Sequence, residues 1–146
     1  MNTHSLTEAL SPLGWPTARL QLAAHFILAV LKLGTVNLAR LANIFDTTAQ
    51  ADSSYKRLQR FFRHFDWDSA VLARWLASGL DEADWVLCLD RTNWKFGKHP
   101  INILVLAVAY RGIAIPLFWT VLGKAGNSST AERKQLLNRF IDTFGV

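Results

Sequence analysis

In the stretch LCLDRTNWKFG, residues 87–97, an apolar run ends on Asp90 and gives way to Arg91, Lys95 and the aromatics Trp94 and Phe96. In a strand, Val86, Cys88 and Asp90 share one face while Trp85, Leu87 and Leu89 share the other. The pattern predicts a strand over 85–90 with Asp90 at its C-terminal end, where α/β sheets commonly present ligands and chemistry. A carboxylate so placed is a candidate catalytic residue and Mg²⁺ ligand, because Mg²⁺ takes oxygen donors and keeps several waters. Two such ions, held by further carboxylates, activate a water or a 3′ hydroxyl and stabilise the leaving oxygen of a phosphodiester. Arg91, Lys95 and Lys98 are candidate phosphate contacts beside it. The same residues are also good turn material, since Asp and Asn side chains bond to their own backbone. Both readings stay open on the residues alone.

A second cluster lies in ADSSYKRLQRFFRHFDW, residues 51–67. At helical spacing, Tyr55, Leu58, Phe61, Phe62 and Phe65 fall on one side, and Lys56, Arg57, Arg60, Arg63 and His64 on the other. No acidic residue stands between Asp52 and Asp66, so the cations have no partner on their own helix. Such a face can track the phosphates of DNA. The segment before it supplies another helix and a short connection, which resembles helix-turn-helix geometry. A solvated helix face is the plainer alternative. The formal net charge of +5 leans towards a polyanionic partner.

Other chemistries find little support. Cys88 is the single cysteine and sits in an apolar run, where a small buried hydrophobe in a reducing cytoplasm is expected. The four histidines show no metal-ligand spacing, and His25 reads as a core residue with a satisfied bond. Neither a phosphate-cradling glycine loop nor a Ser-His-Asp arrangement stands out. The N-terminus lacks the basic start and apolar stretch of a secretory signal. The apolar segment 20–34 is shorter than the roughly 20 residues a spanning helix needs. Segment 101–123 is interrupted by Arg111, Gly112 and Pro116. No membrane association is therefore expected, and a cytoplasmic location fits.

Around residue 80 the hydrophobic period changes from helical to strand-like. Helices are expected at 17–33, 37–45, 53–65 and 68–79, with Asp52 or Ser53 capping the third and Asp68 or Ser69 the fourth. After the 85–90 strand a polar turn is expected to about Pro100, followed by strands 101–110 and 113–123 around a tight Arg111-Gly112 turn. Both arms of that hairpin are apolar on both faces, which predicts cover on both sides. Pro116 lacks an amide hydrogen and marks an edge strand or a bulge. Ser129 and Glu132 have the spacing of a capping box, and open a helix with Leu136, Leu137, Phe140, Ile141 and Phe144 on its buried stripe. The chain thus reads as a helical, DNA-binding module over 1–80, then three strands and a helix over 81–146.

The LDRTNWK block and the GNSSTAER loop, with the strands between them, resemble the start of the catalytic core of bacterial insertion-sequence transposases of the DDE class. The closest likeness is to the group whose glutamate lies in a Tyr-Arg-Glu-Lys signature. It covers about residues 85–145 well and the basic helical part more loosely. The resemblance implies an α/β, ribonuclease-H-like fold of three antiparallel strands, a helix and then a fourth strand. It implies that Asp90 is the first of three carboxylates holding two Mg²⁺ ions, and that transposon-end DNA is the partner. An oligomer, with itself or with an intact transposase, stays open as a further partner, since the residues do not reveal the oligomeric state. The family's second Asp and its Glu have no counterpart here, and Asp142 falls inside the preceding helix. The expectation is a truncated chain, stopping before the fourth strand, that binds DNA but does not cleave or join it. The alternative is a non-catalytic DNA-binding module or a regulator of an intact transposase.

Overall fold

The computed structural model describes residues 2–45, 50–81 and 85–145, the side chain of Phe96 excepted. The chain divides into two compact units, Met1–Trp67 and Asp68–Val146. Among the described residues the architecture is α/β, with six α-helices and a three-stranded antiparallel sheet.

The first unit is helical: α1 (Thr3–Leu10), a short 3₁₀ turn (Ser11–Leu13), α2 (Thr17–Leu33), α3 (Leu38–Ala42) and α4 (Ala51–His64). Helix α1 is absent from the sequence reading, yet its start is well specified. The Asn2 side chain accepts from the Ser5 amide at 2.9 Å while the Ser5 hydroxyl accepts from the Asn2 amide at 3.2 Å. This reciprocal pairing satisfies donors that a helix start otherwise leaves free, and Leu6 and Leu10 bury its inner face. Helix α2 ends at Gly34, whose φ of +61° suits a residue without a Cβ, and whose amide donates to the Val30 carbonyl at 2.8 Å.

Helix α3 is shorter than the expected 37–45, although Asn37 does cap it, accepting from the amides of Ala39 and Arg40. Helix α4 begins two residues earlier than expected, because extended Gln50 turns its carbonyl into the first turn and accepts from Ser53 and Ser54. Neither Asp52 nor Ser53 therefore caps it. Leu22, Ala29, Leu41, Ala42 and Leu58 form the buried centre of this unit, with Phe26, Tyr55 and Phe61 packed around them.

The second unit contains α5 (Ser69–Ala77), β1 (Val86–Phe96), β2 (His99–Tyr110), β3 (Ile113–Leu122) and α6 (Thr130–Phe144). Asp68 caps α5 by accepting from the amides of Ala70 and Val71. The unit starts at Asp68 rather than at residue 81 because α5 belongs to the sheet's core: Ala73 and Ala77 are buried together with Leu104, Leu106, Phe118, Leu136 and Phe140.

The expected turn from Arg91 to Pro100 is instead a continuous hairpin. β1 pairs with β2 from Val86↔Ala109 to Phe96↔His99, and only Gly97 and Lys98 form the loop. Gly97 takes a φ of +60° at the first loop position, the kind of backbone that two-residue hairpins require. Beyond Asp90, Thr92 and Trp94 belong to residue types that favour strands, and pairing with β2 overrides the local turn preference of Asp-Arg-Thr-Asn. The second hairpin turns at Arg111 and Gly112, both at positive φ.

Helices α5 and α6 lie on one face of the sheet, over Leu104, Leu106 and Val108 of β2. Among the described residues of this unit the opposite face carries no helix, whereas cover on both sides was expected from its apolar residues. There Trp94 and Val121 are 67% and 65% exposed, and Cys88 is half-buried rather than sealed in a core. At Pro116 the ladder does break: the register shifts between Leu106 and Ala107, and the extra residue lets the neighbours Leu117 and Phe118 both bury.

Candidate functional site

Helix α4 positions the cations of the first unit. Leu58 is completely buried and anchors its inner face, while Phe61 and Phe65 stack with ring centroids 4.7 Å apart. Phe62, expected on that inner side, is 52% exposed, although its ring still packs against that of Phe26 in a T-shaped pair with centroids 5.1 Å apart. Lys56, Arg60, Arg63 and His64 are exposed and Arg57 is half-buried. Positions 56, 60 and 63 follow one another at helical spacing and make an outward stripe. Positions 57, 61 and 64 make a second stripe, rotated towards α2. Among the described residues none of these cations takes part in an ion pair. The face is thus a row of like charges that makes no ion pair among the described residues and so presents a positive potential outward.

Arg19 of α2 joins this group and was missed in the sequence. Its guanidinium lies over the Phe65 ring, 5.0 Å from the centroid, within reach of a cation–π contact. Its sequence neighbours give no charge pattern. Only the packing of α2 against α4 brings it beside the basic helix.

Asp90 stands in the middle of β1, opposite Val105, and not at a strand tip. Its side chain is exposed on the helix-free face, and Oδ1 accepts from the Arg91 amide at 2.7 Å. Its neighbours on that face are Cys88 and Thr92 along β1 and Val105 across the ladder, none of them a carboxylate. Among the described residues, no three His, Cys, Asp or Glu side chains come together. The residues described here therefore do not fit a two-Mg²⁺ centre, which needs several carboxylates converging on the ions.

The cations expected around Asp90 are separated from it. Alternation puts Arg91 and Lys95 on the other face of β1. Lys95 is exposed there, and Lys98 is exposed in the hairpin loop. The Phe96 side chain lies outside the described residues.

Arg91 is engaged within the fold. Its Nη1 donates to the Gly126 carbonyl at 2.7 Å and to the Asn93 side chain, and its Nη2 donates to the Asn127 side chain at 3.0 Å. Buried Asn102 of β2 completes the cluster by donating to the carbonyls of Lys124 and Gly126 at 3.1 and 2.9 Å. The sheet thereby clasps the GNSS loop that leads into α6. At the end of that loop, Ser129 and Glu132 form the expected capping box. Lys124 pairs with Glu132 at 2.9 Å, and this hydrogen-bonded cation, helped by the Ser129 amide, holds the carboxyl below its ordinary pKa.

His25 shares a hydrogen bond with the Gln21 carbonyl at 2.8 Å and stacks on Phe45, a structural arrangement without a metal-ligand partner among the described residues. No helix among those described is long and apolar enough to cross a membrane. The chain matches no family model, no curated protein and no solved structure.

Proposed function

We propose that this chain binds DNA through the exposed face of α4 and derives from the DNA-binding and early catalytic portion of an insertion-sequence transposase. The observation that carries the binding half is the like-charged row of Lys56, Arg60 and Arg63, flanked by Arg57 and His64, with no ion pair among the described residues. Cations spaced along a helix match a phosphate backbone, and their binding free energy comes largely from released counterions.

The transposase half rests on the likeness of the LDRTNWK and GNSSTAER segments. The order of three antiparallel strands followed by a helix agrees with the start of a ribonuclease-H-like fold. Transposon ends are then the proposed partner, with self-association or pairing with an intact transposase as the accompanying assembly. The isolated position of Asp90 favours binding over strand cleavage, so a non-catalytic DNA-binding regulator is the second reading.

Fluorescence anisotropy with a labelled duplex over a salt series tests the binding. Affinity should fall steeply with salt, by about 0.9 log units per log unit of salt for each phosphate contact. Changing Arg57, Arg60 and Arg63 together to Glu should abolish it. Binding that is indifferent to salt, or that survives the triple change, rejects the proposal.

A further inference from the structure

The two stripes of α4 do not face the same surroundings. Lys56 and Arg63 lie on the outward one, whereas Arg57 and His64 line a groove against α2, with Arg60 shared at its rim. Across the groove stands Arg19, already held over the Phe65 ring at 5.0 Å. Four basic side chains thus border one cavity of about 400 Å³, and no acidic residue lines it. Its floor is apolar, made by Leu22, Phe61 and Phe65.

A bare inorganic anion would use the arginines but waste the floor. An apolar ligand would use the floor but leave the arginines without counter-charge. A nucleotide unit satisfies both, because it joins a phosphate to a flat ring. The volume falls within the range of about 300–1,000 Å³ typical of small-ligand pockets, enough for one nucleotide and far too little for a base pair with its stacked neighbours. Cationic grooves with aromatic side chains are also the usual means of holding unpaired strands.

We propose that the α2–α4 groove seats one unpaired nucleotide of a DNA strand, its phosphate held between Arg19 and the Arg57–Arg60 pair and its base against the apolar floor. This rests on the DNA-binding reading and refines it: the outward stripe serves the duplex, and the groove serves a strand that has left it. Arg19 sets the division, since it belongs to the groove and not to α4. Ala18, exposed on α2 at the groove's edge, offers a way to block it without touching the core.

The test uses the full chain, with labelled oligothymidylate and a labelled duplex of equal length measured in parallel, and circular dichroism to verify that each variant is folded. Arg19→Ala and Ala18→Trp should each weaken oligothymidylate binding by about tenfold or more and change duplex binding by less than about twofold. Lys56→Glu with Arg63→Glu should show the reverse preference. If Arg19→Ala and Ala18→Trp leave the single strand unaffected while the outward pair still lowers duplex affinity, the groove proposal is overturned and the DNA-binding reading stands. If the unaltered chain binds neither probe, both fall.

Discussion

Asn102 is 1% exposed, and its amide nitrogen donates to two carbonyls of the loop that follows β3. Truncation to Ala would leave the Lys124 carbonyl without that donor and loosen the loop that Arg91 also holds. Asn102→Ala should therefore cost about 1–3 kcal/mol, measured as a lower urea midpoint at unchanged slope. Arg91→Ala should give a loss of similar size, and should couple non-additively with Asn102→Ala because the two share the Gly126 carbonyl. Glu132 makes a pH-dependent contribution at the same loop. Its carboxyl titrates below the ordinary glutamate range in the folded chain, chiefly because of Lys124. Its stabilisation is complete above the ordinary range and is lost as pH falls through the lowered value. Amide exchange in the first turn of α6 should accelerate in that acid window, and Glu132→Gln should remove the dependence. The Ser129–Glu132 pair was legible because capping is a contact over three residues. The Asn102 cluster was not, since its acceptors lie on a different element.

Between β1 and β2, local preference and tertiary pairing give different answers. Asp-Arg-Thr-Asn reads as a turn in isolation, yet the β2 partner extends the ladder to Phe96 and leaves only Gly97-Lys98 as the loop. Turn chemistry was visible at Arg111-Gly112, where the structure does turn, because strand-forming residues flank it closely on both sides. Helix α5 shows the complementary limit. Its periodicity announced a helix, but nothing local reveals that Ala73 and Ala77 pack into the sheet's core rather than with the preceding helices. A fragment spanning 68–146 should accordingly unfold cooperatively on heating. One beginning at residue 81 should expose the surface over Leu117 and Phe118 and bind a hydrophobic dye such as ANS. Equal melting behaviour of the two fragments would remove α5 from the core.

Across the whole molecule, the change from helical to strand-like period near residue 80 is legible, because hydrophobic period is a property of long stretches, but the two compact units divide at Asp68 instead. The sequence does not show which sheet face the helices leave open or which α2 side chain meets α4, since both depend on packing between distant segments. The irregularity at Pro116 gives the chain one place where its length can change without reversing its pattern. Removing Leu117 would set Pro116 opposite Ala107 and Phe118 opposite Leu106 in unbroken succession, so every remaining side chain keeps its side. The loss would be that of one buried leucine, about 2–5 kcal/mol, with a cooperative melt retained. Removing Val121 has no such compensation: Leu122 would swing from the interior to water, and the melt should broaden or vanish. Leu117 is thus a surplus residue that the fold has absorbed, and the strand around it retains a spare alignment in which it could do without.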